Sequence, residues 1–269
     1  MGQPGLQIRA PSYGEYLHLD AVLGAQRPLS AQHDEMLFIV MHQVAELWMK
    51  LALHELRAAA AMIRADALAH ALALLTRVAL VQRQLLASWE VFATLSAAQF
   101  AAFRDTLGTS SGFQSLQYRL LEFLMGQKNP ASLVAFRDDP AGLAALERAL
   151  DEPGLYDEAL RHLARHGIAV PAAVIARDVA LPYRADAGVE AAWLSVYHSA
   201  QSHWDQYLLA ERLVDIDHQF QLWRHAHIKT ADRLIGSQAG TGGTSGVSYL
   251  ARTLDLKFFP ELWAIRTSL

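Results

Sequence analysis

The chain has 269 residues, no cysteine, and 27 acidic against 23 basic side chains, which gives a formal charge of −4. Without cysteine there can be no disulfide framework, no thiolate-held iron–sulfur cluster, no thiolate-ligated haem and no CxxCH haem attachment. A bound metal would therefore depend on histidine or oxygen ligands. The small negative charge disfavours a general nucleic-acid-binding protein, which needs a basic face.

The hydropathy pattern predicts no membrane segment. The most apolar stretch, residues 67–86, is interrupted by polar and charged residues such as His70 and Arg77, whereas a span needs roughly 18 apolar residues in succession. The first residues carry no apolar signal region and no myristoylation pattern. We expect a cytoplasmic protein that binds neither membranes nor nucleic acid.

The first half of the chain predicts long amphipathic helices. Residues 34–65 form one, with an apolar stripe at three- and four-residue spacing, and residues 68–95 form a second. Ser96 and Gln99 have the spacing of a capping box, so a short helix is expected to begin there. A polar break at 108–112 and a helix over 115–125 follow.

The second half predicts helices over 140–151 and 155–165, the latter ending before Gly167. Two longer helices are expected over 189–214 and 220–235, and residues 237–246 are the most loop-like segment. The fold predicted is all-α: a single helical-bundle domain over 1–269, with 130–180 as a candidate small helical insertion. Long helices in a chain of this size also favour burial against a partner subunit.

Twelve histidines prompt a search for a metal site. His225 and His227 are two residues apart on a predicted helix and point about 200° apart, so they cannot share one metal; taken alone they are ordinary surface or core histidines. His42 lies within the apolar stripe, four residues after Phe38. It is either a hydrogen-bonded core histidine or a ligand-binding one, because an unpaired buried imidazole is costly.

Two further features have both an ordinary and a functional interpretation. The segment 240–246 is rich in glycine and hydroxyl side chains, but it has no preceding strand and no phosphate-loop pattern. It is either a plain connection or a loop that closes over a small polar ligand. Arg104 lies on a mostly apolar short helix and requires an anionic partner, which is either a protein carboxylate or the carboxylate of a ligand.

Taken together and in order, several segments resemble the tryptophan 2,3-dioxygenase family, from about Tyr13 to the C-terminus. The segments that carry the resemblance are residues 33–39, 42–43, 46–48, 103–104, 110–115, 220–224, His227, 240–246 and 259–263. The resemblance implies an all-α fold, haem b in each subunit (ferrous when active), and a homotetramer built as a dimer of dimers. It also implies the reaction: both atoms of O2 are inserted across the indole C2–C3 bond of L-tryptophan, giving N-formyl-L-kynurenine in the first step of the kynurenine pathway.

The resemblance assigns roles around the haem. It makes His227 the axial ligand of the haem iron and leaves His225 without a role. His42 becomes the catalytic histidine that accepts a hydrogen bond from the indole N–H, and Phe38 becomes the wall against which the indole packs. It places Ser111 and Gly112 near the haem edge and propionates.

Further roles concern the substrate. Arg104 matches the residue that pairs with the substrate carboxylate, and Thr241 matches a loop threonine at the ammonium end. Phe100 stands where some members have a tyrosine, so we expect weaker substrate affinity than in a tyrosine-bearing relative.

The N-terminal segment, residues 1–30, carries the remaining family positions. Tyr13, Tyr16 and Leu17 match residues that reach into a neighbouring subunit's pocket. The active sites would then be shared between subunits, and a monomer would be inactive.

Three alternatives remain open at the level of sequence. The first is a related haem oxygenase of secondary metabolism, which would act on a modified tryptophan or another indole and insert one oxygen atom. The second is a non-enzymatic haem- or indole-binding protein, against which the joint presence of His42, Arg104 and Thr241 counts. The third is a metal-free helical scaffold, which would be colourless when purified.

Overall fold

The computed structural model describes residues 10–238, 240, 247 and 254–269. Within these residues the secondary structure is helical and no strand occurs, which confirms the all-α fold class. The α-helices are α1 (Tyr13–Leu17), α2 (Leu19–Leu23), α3 (Glu35–Arg64), α4 (Leu68–Phe92), α5 (Ala97–Arg104), α6 (Leu116–Leu124), α7 (Pro140–Asp151), α8 (Leu155–Arg165), α9 (Ala172–Ile175), α10 (Ala187–His198), α11 (Trp204–Ile235) and α12 (Pro260–Ala264).

The centre of the fold consists of α3, α4 and α11, with α4 packed along both of the others. Helices α3 and α4 form a hairpin whose short connection holds Asp66 in the left-handed region, with φ at +56°. All three helices contribute buried apolar residues to the main hydrophobic core. Helices α6 and α8 cover α3 from outside, and buried residues of α8 belong to the same cluster as those of α3.

A second, smaller cluster of buried aromatic and aliphatic side chains lies at the end of α4 and on α5. Its buried members are Phe92, Leu95, Phe100 and Phe103. Ser96 caps α5 through the predicted capping box with Gln99, so α5 turns away from α4 at this point. This cluster is separate from the main core and forms one wall of the candidate site.

The predicted boundary between the two C-terminal long helices is wrong. The helix expected over 189–214 ends at His198, and α11 then runs without a break from Trp204 to Ile235. One polar residue between the two expected helices, Asp217, is satisfied by contacts within the fold. Asp217 accepts hydrogen bonds from the backbone N–H groups of Phe258 and Phe259 and from the indole of Trp263.

The C-terminal segment is therefore held by two buried carboxylates. Asp217 binds it from α11, as described above, and Glu261 on α12 accepts hydrogen bonds from the hydroxyl groups of Tyr156 and Tyr183, at 2.9 and 2.6 Å. The backbone N–H of Asp186 completes the environment of Glu261. These bonds link α12 to α8, α10 and α11.

Among the described helices, α3 is long and apolar enough to cross a membrane, judged by length and composition alone, and the bent pair formed by α4 with residues 97–107 passes the same test. The sequence predicted no such segment, because no run approaches roughly 18 uninterrupted apolar residues, and α3 itself contains His42, Glu46 and Lys50. The second half of α3, around Leu56 and Ile63, lies in the centre of the core. Only 17% of the apolar window of α3 that meets the criterion is buried in the single chain.

Candidate active site

His227 lies on α11 between two tryptophans. Its ring stacks on Trp89 of α4, with centroids 5.0 Å apart and planes 13° apart, and it contacts Trp223 one turn earlier at 5.5 Å. Burial among these rings, with a smaller contribution from the nearby His42, lowers the pKa of His227 to about 4. The imidazole is therefore neutral at pH 7, which is the form that binds a metal.

His42 lies on the first half of α3, and its orientation is fixed by its own helix. Its Nδ1 is 2.7 Å from the carbonyl oxygen of Phe38. Because a carbonyl oxygen only accepts, Nδ1 carries the proton and Nε2 is left with its lone pair. The pKa of His42 is lowered because the surrounding protein disfavours the charged ring. The ring remains accessible to solvent, so Nε2 can accept a hydrogen bond from a ligand.

Aromatic rings surround His42 on one side. Phe38 lies against it with centroids 4.2 Å apart, and Phe92 meets it edge-on at 5.7 Å. Phe100 stacks near Phe38 at 5.9 Å, and Phe103 approaches Phe38 edge-on at 5.7 Å. The four phenylalanines form a flat-sided apolar wall of a kind that suits a planar aromatic ligand.

The two histidines face a common region. Phe92, which contacts His42, also contacts Trp89 at 5.7 Å, and Trp89 stacks on His227. His42 also contributes electrostatically to the lowered pKa of His227, so the two histidines lie near each other. The structure thus brings together the two histidines that were singled out from the sequence.

The residues around His227 fit a haem. Within the described part of the chain, the ring nitrogens of His227 make no hydrogen bond, so its neutral imidazole is available as an axial ligand. The indole Nε1 of Trp89 is buried and has no acceptor among the residues that the structure describes. Buried donors are nearly always paired, and a porphyrin carboxylate would supply the acceptor.

Arg104 is the last residue of α5, one helical turn after Phe100, so both side chains lie on the same face. The sequence predicted an anionic partner for Arg104. Within the described residues its guanidinium donates to the amide oxygen of Gln238, a neutral acceptor that follows the end of α11, and the anionic partner stays a prediction. Arg104 is half-buried beside the phenylalanine wall and faces the same part of the molecule as Phe100.

Ser111 and Gly112 lie in the connection between α5 and α6. The hydroxyl of Ser111 caps a short 3₁₀ turn, Gly112–Gln114, by accepting from the backbone N–H of Phe113. A Cβ on Gly112 would meet no atom within 4 Å, so the backbone here is open on that side. Ser111 thus has a capping role within the loop and Gly112 has no steric neighbour there, while the role of both residues toward a haem stays a prediction.

Three of the remaining predicted site residues do not join this site in the single chain. Tyr13, Tyr16 and Leu17 lie on α1, which has no buried residue, and they are 76, 72 and 39% exposed. Such apolar exposure suits a helix that is covered in an assembly. Thr241 lies outside the described residues.

One other group of side chains in the described chain has the composition of a metal site. Asp66, His162 and His166 offer ligand atoms within 4.8 Å of one another. However, the carboxylate of Asp66 accepts hydrogen bonds from Arg165 and from Nδ1 of His162, and these bonds lower its pKa to about 2, with Arg165 contributing most. A guanidinium on this carboxylate opposes a cation, so we interpret the group as an ion-pair cluster that joins α8 to the end of α3.

Several side chains of the site were not singled out from the sequence, namely Trp89, Phe92, Phe103, Trp223 and Gln238. Trp223 and His227 are four residues apart, so helical spacing alone could have placed them together. No sequence pattern connects Trp89 with His227, because the contact joins two helices more than a hundred residues apart.

Comparison with known protein families gives a match over most of the chain. The family model described as tryptophan 2,3-dioxygenase matches residues 4–139 and 150–269, so only the ten residues 140–149, within α7, fall between the matched segments.

Individual relatives agree with the family model. A curated tryptophan 2,3-dioxygenase of Bordetella parapertussis is 53% identical over 261 residues, which are 97% of this chain and 92% of the relative. One of Bacillus thuringiensis is 51% identical over 258 residues, which are 96% and 92% of the two chains. One of a Polaromonas species is 53% identical over 97% of this chain and 89% of its own length.

Proposed function

The chain belongs to the tryptophan 2,3-dioxygenase family, and we propose that its site cleaves the indole C2–C3 bond of L-tryptophan with O2 to give N-formyl-L-kynurenine. Family membership makes the protein a haem-dependent dioxygenase, and the related oxygenase that inserts a single oxygen atom is not favoured. The observation that carries the proposal for this chain is the state of His42. Its Nδ1–H is engaged by Phe38 and its Nε2 is an acceptor beside an aromatic wall.

This arrangement matches the chemistry of an indole. The indole N–H is a donor and the ring is flat and apolar, so His42 Nε2 would accept the hydrogen bond while Phe38 and Phe100 pack along the ring. A neutral histidine with a lowered pKa is a poor base, so it would leave the proton on the indole nitrogen. His42 therefore orients the substrate rather than removing its proton.

We assign the haem to His227, as one haem b per subunit that is ferrous in the active enzyme. The bound haem supplies the binding and activation of O2, and the protein supplies orientation and exclusion of water. The neutral, stacked ring of His227 supports the axial role, and the unpaired indole N–H of Trp89 supports a carboxylate-bearing group beside it. Ser111 and Gly112 would lie at the edge of the same group.

Recognition of the amino-acid part of L-tryptophan falls to Arg104 and Thr241. A guanidinium can grip a carboxylate through two parallel hydrogen bonds, which fixes both position and orientation. Phe100 and Arg104 are one helical turn apart on α5. This spacing supports a substrate whose ring and carboxylate are a few ångströms apart. Thr241 would contact the ammonium end.

The assembly that we propose is a homotetramer, a dimer of dimers with shared active sites. The exposure of Tyr13, Tyr16 and Leu17 supports it, because these residues then cover a neighbouring subunit's site. We place the enzyme in the cytoplasm.

The test is an absorbance spectrum of the purified, ascorbate-reduced protein, recorded continuously after L-tryptophan is added in air. We expect a Soret band and a growing absorbance of N-formylkynurenine, with a product mass two oxygen atoms above the substrate. A gain of one oxygen atom would point to the related oxygenase. A protein that takes up no haem, even when haem is supplied during expression, would overturn the proposal.

A further inference from the structure

The contact between Arg104 and Gln238 joins the substrate-binding helix to the end of the haem-binding helix. NH1 of Arg104 donates to Oε1 of Gln238, and the two residues are 134 positions apart in the chain. Arg104 ends α5, and Gln238 follows the end of α11, which carries His227. A long-range contact of this kind places Gln238 within reach of the group that Arg104 binds.

The position of Gln238 is fixed by the packing around it. Leu234 and Ile235, the last residues of α11, pack against the cluster that contains Phe100 and Phe103. The chain then turns at Gly236, where φ is +52°, and the backbone N–H of Gln238 donates to the carbonyl oxygen of Ile235 at 3.0 Å. The start of the segment after α11 is therefore held against α5.

The chemistry of the contact resembles one half of a carboxylate–guanidinium pair. The amide oxygen of glutamine is a planar sp² acceptor like a carboxylate oxygen, but it carries no charge. The guanidinium is charged in both cases, but an ionised acceptor adds attraction between opposite charges and can take two of its N–H groups at once. A carboxylate that engages NH1 of Arg104 would therefore displace the amide.

We propose that Gln238 is a substrate-recognition residue whose amide oxygen occupies Arg104 until the carboxylate of the ligand replaces it. The inference rests on the proposed function, in which Arg104 binds the carboxylate of L-tryptophan. Gln238 thereby sets the affinity for amino-acid ligands, because each binding event must first break its bond to Arg104. Ligands that lack a carboxylate leave this bond in place.

Two substitutions of Gln238 test whether its amide oxygen competes with the ligand carboxylate for Arg104. Gln238→Met keeps the length of the side chain and removes the competing oxygen. Gln238→Glu places a permanent carboxylate on Arg104. The same changes at Gln201, an exposed glutamine in the connection between α10 and α11, serve as controls.

The experiment is a spectrophotometric titration of the haem-loaded protein with L-tryptophan at equilibrium, with no turnover. We expect Gln238→Met to lower the Kd by about two- to fivefold, the net value of one solvent-accessible hydrogen bond that no longer competes with the ligand. We expect Gln238→Glu to raise it by about tenfold or more, because an intramolecular carboxylate competes with the ligand. The Gln201 variants should match the wild type.

Tryptamine, which keeps the indole and the amine but lacks the carboxylate, is titrated in parallel. Its Kd should change by less than about twofold across the variants. Weaker binding of L-tryptophan by Gln238→Met, or equal shifts for both ligands, would overturn the inference while leaving the proposed function intact. If the wild type neither binds nor oxidises L-tryptophan, the proposed function itself fails, and the inference fails with it.

Discussion

The Nδ1–H group of His42 donates a hydrogen bond of 2.7 Å to the carbonyl oxygen of Phe38, one turn earlier in the same helix. One residue of the site thus fixes the tautomer of the other, and Phe38 also packs its ring against the imidazole at 4.2 Å. The helix itself therefore determines which nitrogen of His42 can accept a hydrogen bond.

This bond predicts the effect of removing the imidazole. His42→Ala should lower kcat/KM for L-tryptophan by about tenfold, the value of one hydrogen bond to the substrate, without abolishing turnover. The difference between the variant and the wild type should vanish with 1-methyltryptophan, which has no indole N–H. An equal fall with both substrates would show that His42 acts in some other way.

Removal of the axial ligand should have a different effect. His227→Ala should lose its haem during purification, seen as a loss of the Soret band per mole of protein, because the site keeps only apolar and stacking contacts. His225→Ala is the matched control, since His225 is exposed and lies two residues earlier on the same helix. Haem retention by His227→Ala equal to that of the control would exclude the assignment.

Phe100 offers a gain-of-affinity test. Phe100→Tyr adds a hydroxyl beside Arg104 at a position where some family members have tyrosine, and it should lower the KM for L-tryptophan by about two- to tenfold. The ring is buried and stacks near Phe38, so the change in kcat should be small. An unchanged KM would mean that the hydroxyl does not reach the substrate.

The buried carboxylate of Asp217 should be important for stability. Asp217→Ala leaves the N–H groups of Phe258, Phe259 and Trp263 without their acceptor, which should cost about 3 kcal/mol and lower the Tm by roughly 6–12 °C. Asp215→Ala is the control, because Asp215 forms only a half-exposed ion pair with Arg212 and should cost less than about 1 kcal/mol. Equal Tm shifts in differential scanning calorimetry would contradict this.

The cluster at the end of α8 predicts a dependence on pH. Burial lowers the pKa of His162, so the folded state binds its proton less readily than the unfolded chain does. The Tm should consequently fall as the pH drops below about 6.5, the ordinary pKa of histidine.

His162→Gln can still donate to Asp66 but does not titrate, so its Tm should depend less on pH between 7.5 and 5. His70→Gln, at an exposed position, should behave like the wild type. A pH dependence of the Tm that is the same in wild type and His162→Gln would exclude this contribution.

Local signals in the sequence predicted the helices well where the end of a helix depends on its own neighbours. Ser96 and Gln99 form the predicted capping box, and Gly167 follows α8 with a φ of +78°, as a helix-ending glycine should. The ends of α7 and α8 coincide with the predicted ones. These features depend on residues three or four positions apart, which a sequence displays directly.

The predicted helix boundary was wrong at a place where contacts between residues distant in the sequence determine the structure. Asp215 and Asp217 look like the end of a helix, but Asp217 is satisfied by the segment 258–263, so α11 continues through it. The same applies to the site. The histidines and Arg104 could be assigned from the resemblance, whereas the stacking of Trp89 on His227 and the contact of Gln238 with Arg104 are tertiary facts.

Because α11 is unbroken, the angle about the helix axis between Asp217 and His227 is fixed. Asp217, which holds the C-terminus, and His227, which faces Trp89, are ten residues apart on one unbroken helix, about 15 Å along its axis. Inserting or deleting one residue between them would rotate one side chain about 100° relative to the other, so that only one could keep its partners. Substitutions on the exposed face of this stretch leave the angle between the two side chains unchanged, whereas a change in its length does not.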